Sequence, residues 1–241
     1  PSSISNWNYE NVSGINAAST HDKINFSLGK GLYIGLTGGY KISEIASVEL
    51  NVSCLSGSPV KANNKATDTA GTYYVDMNYS MKAGMVYLNP AFQISMSPEK
   101  KFNPYAKFGI IFGFGKLNET INGMYYTGEY WDMNIVYRDG HALGFSSSLG
   151  VVYKVSDLLN VFCEARLNAL SYSPNKNVLT KFTKDGADQL ASMPVYDKEV
   201  IYVDAYNTQN GPIDDTKPRE MTKSLYSLYS YGLHIGLRFN L

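Results

Sequence analysis

A strict alternation of apolar with small or polar residues is the feature that most constrains how this chain can fold. Residues 231–241, YGLHIGLRFNL, carry apolar side chains at the odd positions and Gly, His, Gly, Arg and Asn at the even ones. Because successive side chains of a β-strand point to opposite faces, this pattern predicts a strand with one wholly apolar face. Seven such strands are predicted, at about residues 24–40, 46–54, 73–96, 105–115, 142–153, 159–169 and 231–241.

The third of these segments changes the parity of its apolar residues. Val75, Met77 and Met81 share odd positions, whereas Leu88 and Phe92 take even ones. An extra residue in one strand of a pair would shift the faces in this way, so the change predicts a β-bulge near residues 87–90.

The connections alternate strictly between short and long. Short turns are predicted near residues 41–45, 97–102 and 155–159, and long polar connections near 56–71, 116–130 and 173–222. Each segment also approaches or exceeds the ~9–11 residues that a tilted strand needs to cross a bilayer. An up-and-down antiparallel β-barrel with short turns at one rim and long loops at the other has this pattern.

The composition of the polar face indicates which side of the barrel meets water. Charged residues make up only 17% of the chain, and the polar face is mostly Gly, Ser, Thr and Asn. A face open to water should carry many Lys and Glu, so we expect this face to line a narrow interior, with the apolar face against lipid and the sheet closed. The charges expected to pair inside are Glu49, Lys82, Lys107, Glu164, Arg166, His234 and Arg238.

Several functional classes receive no support from the composition. The 21 basic and 21 acidic residues cancel, which disfavours nucleic acid as a partner. Cys54 and Cys163 have no metal-type spacing, and no phosphate loop or paired catalytic carboxylates occur. We therefore expect no metal, no cofactor and no catalytic residues, hence no enzyme. No leader precedes Pro1, so an export signal would have been removed.

The number of strands leaves one question open. We expect one domain over residues 1–241. Single-chain bacterial barrels have an even number of strands, so an eighth strand should exist, either within residues 3–15 or upstream of this chain. Residues 1–23 are thus a weak first strand or an extracellular segment. Residues 173–222 are predicted as a long extracellular loop, in which residues 200–206 are apolar enough to form a hairpin.

Three stretches carry a resemblance to a known family. GLYIGLTGGYKISEIASVELNVS, NPYAKFGIIFGFG and HIGLRFNL resemble the small eight-stranded outer-membrane β-barrel proteins of Gram-negative bacteria, of the OmpA-barrel, OmpW and OmpX type, and particularly the porin-family barrels of Bacteroidota. The resemblance implies residence in the bacterial outer membrane. It also implies a C-terminal assembly signal, matched by His234, Gly236, Phe239 and Leu241, and an O-glycosylation site at Thr69 within Asp-Thr-Ala.

The predicted partners follow from this resemblance. They are outer-membrane lipid, the barrel-assembly machinery during insertion, and other outer-membrane proteins. The first hypothesis for function is a structural or interaction protein, an accessory subunit that docks through its extracellular loops. The alternatives are a narrow conduit or binding protein for small hydrophobic molecules, as proposed for OmpW-like barrels, and a lipid-modifying outer-membrane enzyme.

Overall fold

The structure is a computed structural model that describes residues 10–15, 18–23, 27–67, 73–126, 128–205 and 213–240. Fifteen strands in this part form a single sheet. They are β1 (Glu10–Ile15), β2 (Ala18–Lys23), β3 (Gly31–Lys41), β4 (Ala46–Gly57), β5 (Val60–Thr67), β6 (Tyr73–Ser95), β7 (Phe102–Met124), β8 (Tyr130–Lys154), β9 (Leu159–Ser173), β10 (Lys176–Lys184), β11 (Ala187–Asp188), β12 (Glu199–Val203), β13 (Arg219–Thr222), β14 (Tyr226–Ser227) and β15 (Ser230–Phe239).

Helix contributes little to the described residues. A 3₁₀ turn covers Leu190–Ser192, and the helix α1 covers Val195–Lys198. Within the described ranges no helix has the length and apolar character needed to span a membrane.

Seven strands form an up-and-down meander, which we call the barrel region. Their order is β3, β4, β6, β7, β8, β9 and β15, and every neighbouring pair is antiparallel. They correspond to the seven predicted segments. Turns at residues 42–45, 96–101 and 155–158 join them at one end, the lower rim.

The outer surface of the barrel region carries a continuous apolar band. The outward side chains are exposed although they are apolar, because the sheet packs nothing against them. They include Leu36, Leu50, Leu88, Phe92, Phe108, Phe112, Phe145, Leu167, Leu233 and Ile235. Many inward side chains are small or polar and several of these are buried, among them Ser53, Asn89, Gln93, Ser146 and Asn168. The predicted assignment of the two faces is therefore correct.

Three strands continue far above the band and form the core of an upper extension. Strands β6, β7 and β8 have 23, 23 and 25 residues. Strand β5 joins the upper part of β6 on one side, and β10, β12 and β13 follow β8 on the other. We define the upper extension as β1, β2, β5, β10–β13 and residues 73–83, 117–124 and 130–137 of the long strands.

The upper extension replaces the predicted long loops. Residues 56–71 contain β5, and residues 116–130 contain the upper end of β7 and the first residue of β8. Residues 173–222 contain β10–β13, so the prediction that this segment is a long loop is wrong. Residues 200–203 of the expected hairpin lie in β12, which pairs antiparallel with β10 and parallel with β13, while Tyr206 lies outside the described residues.

The predicted bulge in β6 is wrong as well. Pairing with β7 keeps one register on both sides of Asn89, from Leu88 opposite Phe112 to Ala91 opposite Gly109. Odd-numbered side chains of β6 point inward from Val75 to Ser95. In the upper part of β6, at residues 75–84, the inward side chains are apolar and the outward ones are mostly polar. In the lower part, at residues 86–95, the outward side chains are mostly apolar and the inward ones mostly polar. The sequence changes parity because the surroundings of the strand change, while its geometry stays regular.

The main apolar core lies in the upper extension and at its junction with the barrel region. It is built from the inward residues of the long strands together with β10, β12 and the segment before β15. Its members include Val75, Met77, Met81, Leu117, Ile121, Met133, Ile135, Phe182, Val200, Tyr202 and Leu228. Strands that appeared to be loops in the sequence are thus held by a core of their own.

The sheet does not close within the described residues, so the prediction of a closed eight-stranded barrel is not met by this structure. Strand β3 pairs only with β4, and β15 pairs only with β9. Six antiparallel steps separate β3 from β15, so both run downward and cannot pair antiparallel with each other. Residues 10–15, proposed as part of an eighth strand, pair instead with β2 and β5.

Candidate functional site

Charged side chains from four strands meet in the interior of the barrel region. Lys107 on β7 lies with its Nζ 2.8 Å from Glu49 Oε2 on β4 and 3.3 Å from Glu164 Oε2 on β9. The side chains of these three residues are 9%, 8% and 0% exposed. One ammonium group therefore bridges two buried carboxylates that belong to different strands.

Two arginines complete this network. Arg166 donates to Glu164 Oε1 from its Nε at 3.0 Å and its Nη2 at 2.5 Å. Arg238 on β15 donates from its Nη2 to Glu49 Oε1 and to Gln93 Oε1, both at 3.0 Å. The Tyr105 hydroxyl donates to Glu164 Oε2 at 2.9 Å. Each carboxylate is held by a cation and at least one further donor.

The interior network has physical consequences for stability and for permeation. Charges removed from water are tolerated when they are paired and hydrogen-bonded, and removal of one partner leaves the other charge uncompensated. A closed barrel of about eight strands has an interior just wide enough for side chains to fill. Together Glu49, Lys107, Glu164, Arg166 and Arg238 cross the interior as a plug.

Of the remaining two residues of the predicted interior set, His234 borders this network and Lys82 lies away from it. His234 is half-buried, directly opposite Glu164 in register, with its ring 5.8 Å from that of Tyr33. Lys82 is exposed on the outward face of β6, above the apolar band. Its prediction as an interior residue is wrong. Polar residues of the barrel region point inward, but at the height of Lys82 the polar face of β6 is the outward one.

Gly236 has a packing role that sequence reasoning missed. A Cβ atom at this position would come within 2.5 Å of the Phe162 ring, so the glycine makes room for an aromatic side chain on β9. Phe239 is exposed at the end of β15. The assembly signal itself remains a prediction, and Leu241 and the candidate glycosylation site Thr69 lie outside the described residues.

A second buried polar group lies in the upper extension. Glu119 is fully buried, and Tyr137 donates to its Oε2 at 2.6 Å. Burial, and next the Glu119 charge, raise the pKa of Tyr137 well above its usual value. The alternation offered one signal, since Glu119 shares the parity of Leu117 and Ile121, both of which point into the core.

Metal chemistry finds no support among the described side chains. They contain no group of three His, Cys, Asp or Glu residues able to hold a metal ion. Cys54 and Cys163 are free and exposed on the outward face of the sheet.

An outward apolar band, a plugged polar interior and short turns at one rim define a β-sheet protein that spans a membrane. The family model described as outer membrane protein beta-barrel domain matches residues 4–189, and the chain belongs to this family. No curated protein and no solved structure gives a significant match. Membership of this family indicates the outer membrane as the membrane that the apolar band meets.

Proposed function

We propose that the protein is a structural or interaction protein. The lower rim would face the periplasm, and the barrel region would anchor the upper extension outside the cell, where the extension docks other outer-membrane proteins. The supporting observation is the continuity of β6, β7 and β8, which cross the apolar band and form the middle of the extension. A surface built on unbroken strands is held rigidly, and rigid surfaces lose less conformational entropy on binding than loops do.

The upper end of the extension supports this proposal. Tyr126 and Tyr130 are 59% and 51% exposed. Their sequence neighbours are Tyr125 and Trp131, whose rings stack with centroids 4.2 Å apart. Lys184 lies over the Trp131 ring and forms an ion pair with Glu129 at 3.2 Å. Ordered tyrosine and tryptophan side chains are the residue types that contribute most to protein–protein interfaces.

Site-specific photocrosslinking in intact cells tests this function. A photoreactive residue at Tyr126 or Tyr130 is expected to give a discrete, reproducible adduct with another outer-membrane protein. The matched positions Val155 and Leu158 are also exposed but lie on the lower rim, and should not give that adduct. Equal crosslinking at both ends, or none at the upper end, would contradict the proposal.

We also infer that the barrel region is completed by an eighth strand, which would run upward between β3 and β15 and be antiparallel to both. Open strand edges cannot be satisfied in hydrocarbon. The barrel-assembly machinery is the proposed partner that inserts the completed barrel. Hydrogen exchange should then be slow at those N–H groups of β3 and β15 that point away from β4 and β9. Fast exchange at these groups would refute closure.

The alternative function is a binding protein or narrow conduit for small hydrophobic molecules. The space of about 2380 Å³ between β3 and β15 is the place of the proposed eighth strand, so it does not by itself indicate a ligand. The interior plug opposes free permeation. Defined single-channel conductance in planar bilayers, or saturable binding of an apolar dye that competes with small hydrophobic solutes, would favour the alternative. We propose no catalytic activity.

A further inference from the structure

A row of cations crosses the outer face of four adjacent strands just above the apolar band. Lys61 on β5, Lys82 on β6, Lys116 on β7 and Arg138 on β8 are all exposed. Lys82 lies opposite Asn118, and Lys116 lies opposite Gly84. The row runs diagonally across the strand register, which is the direction that a horizontal line takes on a sheet of tilted strands.

The row is continuous with the face that meets lipid. Lys116 follows Phe114 by two residues on the same face of β7. On β6, Lys82 precedes Val86 by four residues, and Phe114 and Val86 are 52% and 43% exposed and directly paired. Side chains of this length reach the headgroup level while their stems cover apolar surface.

The cations of the row differ from those higher in the upper extension. Lys65, Lys176, Lys181 and Lys184 each pair with a carboxylate. Within the described ranges Lys61, Lys82 and Lys116 form no ion pair, and Arg138 meets only Asp139, its own exposed neighbour, at 3.6 Å. The row thus carries net positive charge at one level of the molecule, and protein carboxylates leave most of it unbalanced.

We propose that this cationic row binds the phosphate groups of phosphorylated lipids in the outer leaflet. The inference rests on the membrane orientation of the proposed function. A lipid fits better than a soluble anion, because a lipid whose phosphate meets Lys82 and Lys116 lays its acyl chains against Val86 and Phe114. Binding is then the sum of charge attraction and apolar contact.

The test uses the purified full chain in detergent, with retained lipid measured by native mass spectrometry. The probes are diphosphorylated lipid A, its dephosphorylated counterpart and inorganic phosphate. The test variant is Lys82→Gln/Lys116→Gln/Arg138→Gln. Its matched control is Lys41→Gln/Lys100→Gln/Lys101→Gln, which removes three exposed cations from the lower rim. Heat-modifiable migration on a gel shows that each variant is folded.

We expect the wild type and the lower-rim variant to retain diphosphorylated lipid A, and neither to retain the dephosphorylated form. The test variant should bind lipid A on the order of a hundredfold more weakly, since each basic residue near an anionic surface contributes roughly fivefold. Equal retention by the two variants would overturn the proposal. Displacement of the lipid by inorganic phosphate at equal phosphate concentration would overturn the choice of a lipid.

The inference and the proposed function fail separately. If position 126 gives the expected crosslink but the test variant binds lipid A as well as the wild type does, only the lipid site is refuted. If position 126 gives no crosslink but the protein retains diphosphorylated lipid A and not the dephosphorylated form, only the interaction function is refuted.

Discussion

Lys107 Nζ lies 2.8 Å from Glu49 Oε2, which ties β7 to β4 across the barrel interior. The same ammonium group lies 3.3 Å from Glu164, so its loss would leave two carboxylates facing each other without their shared cation. Both neighbours keep other donors, Arg238 for Glu49 and Arg166 for Glu164. Lys107 is therefore the central residue of the plug.

Lys107→Met is expected to lower the free energy of unfolding by about 3–5 kcal/mol, since it breaks a buried charge network on one side. Urea unfolding in lipid vesicles, followed by heat-modifiable migration, measures the change. Lys100→Met removes an exposed cation from the lower rim and should stay within about 0.5 kcal/mol. Adding Glu49→Gln to Lys107→Met should restore part of the loss. Equal stability of the Lys107 and Lys100 variants would show that the network does not stabilise the fold.

The reversal of polarity along β6 gives a second prediction. Leu88 and Asn78 share the outward face of this strand, Leu88 within the apolar band and Asn78 above it. Leu88→Arg should destabilise the inserted protein by roughly 2–4 kcal/mol, the cost of an arginine near the bilayer midplane. Asn78→Arg should cost at most about 1 kcal/mol, because the new side chain remains in water and only the hydrogen bond from Asn63 is lost. Similar losses would contradict the assigned boundary.

The barrel region could be predicted from the sequence because alternation with period 2 reports which face of a strand meets an apolar environment. That report depends on the environment being the same along the strand. In the upper part of β6, at residues 75–84, the apolar surroundings lie inside, and in the lower part, at residues 86–95, they lie outside. For this reason Lys82 was assigned to the wrong face and a bulge was predicted where none exists.

The sequence predicts the interior network only as a set of charged residues that share the polar face of their strands. Which charges meet depends on register and on the order of the strands. Tyr105 and Gln93 belong to the network through hydrogen bonds to Glu164 and Arg238, and nothing in the local sequence distinguishes them from other polar residues. The upper extension was missed because strands such as β5 and β10 are stabilised by long-range packing, while their own sequences are polar enough to be read as loops.

The buried pair Tyr137 and Glu119 makes the upper extension sensitive to substitution. Tyr137→Phe removes a hydrogen bond to a fully buried carboxylate, and should lower the stability of the extension by roughly 1.5–3 kcal/mol. Tyr130→Phe alters an exposed ring and should change it by less than about 0.5 kcal/mol. Rates of proteolysis within residues 176–203 compare the two variants. Equal rates would show that the hydrogen bond contributes nothing to the extension.

The same pair predicts a dependence on alkaline pH. The pKa of Tyr137 is raised in the folded protein, first by burial and next by Glu119. Its contribution to stability is fully present below the unfolded pKa of about 10 and is lost as pH rises from there toward the folded pKa. Hydrogen exchange in the upper extension should therefore accelerate above about pH 10 in the wild type, and less so in Tyr137→Phe. An identical pH profile in both proteins would contradict this linkage.

The two glycines of β15 separate packing from assembly. A Cβ atom at Gly236 would meet the Phe162 ring at 2.5 Å, whereas a Cβ atom at Gly232 would have no atom within 4 Å. Gly236→Ala should therefore lower the stability of the refolded protein by about 1–3 kcal/mol, the range for overpacking, while Gly232→Ala should be neutral or slightly stabilising. Refolding into vesicles without any assembly machinery isolates this effect. If Gly236→Ala refolds to full stability there but inserts poorly in cells, its role is in the assembly signal instead.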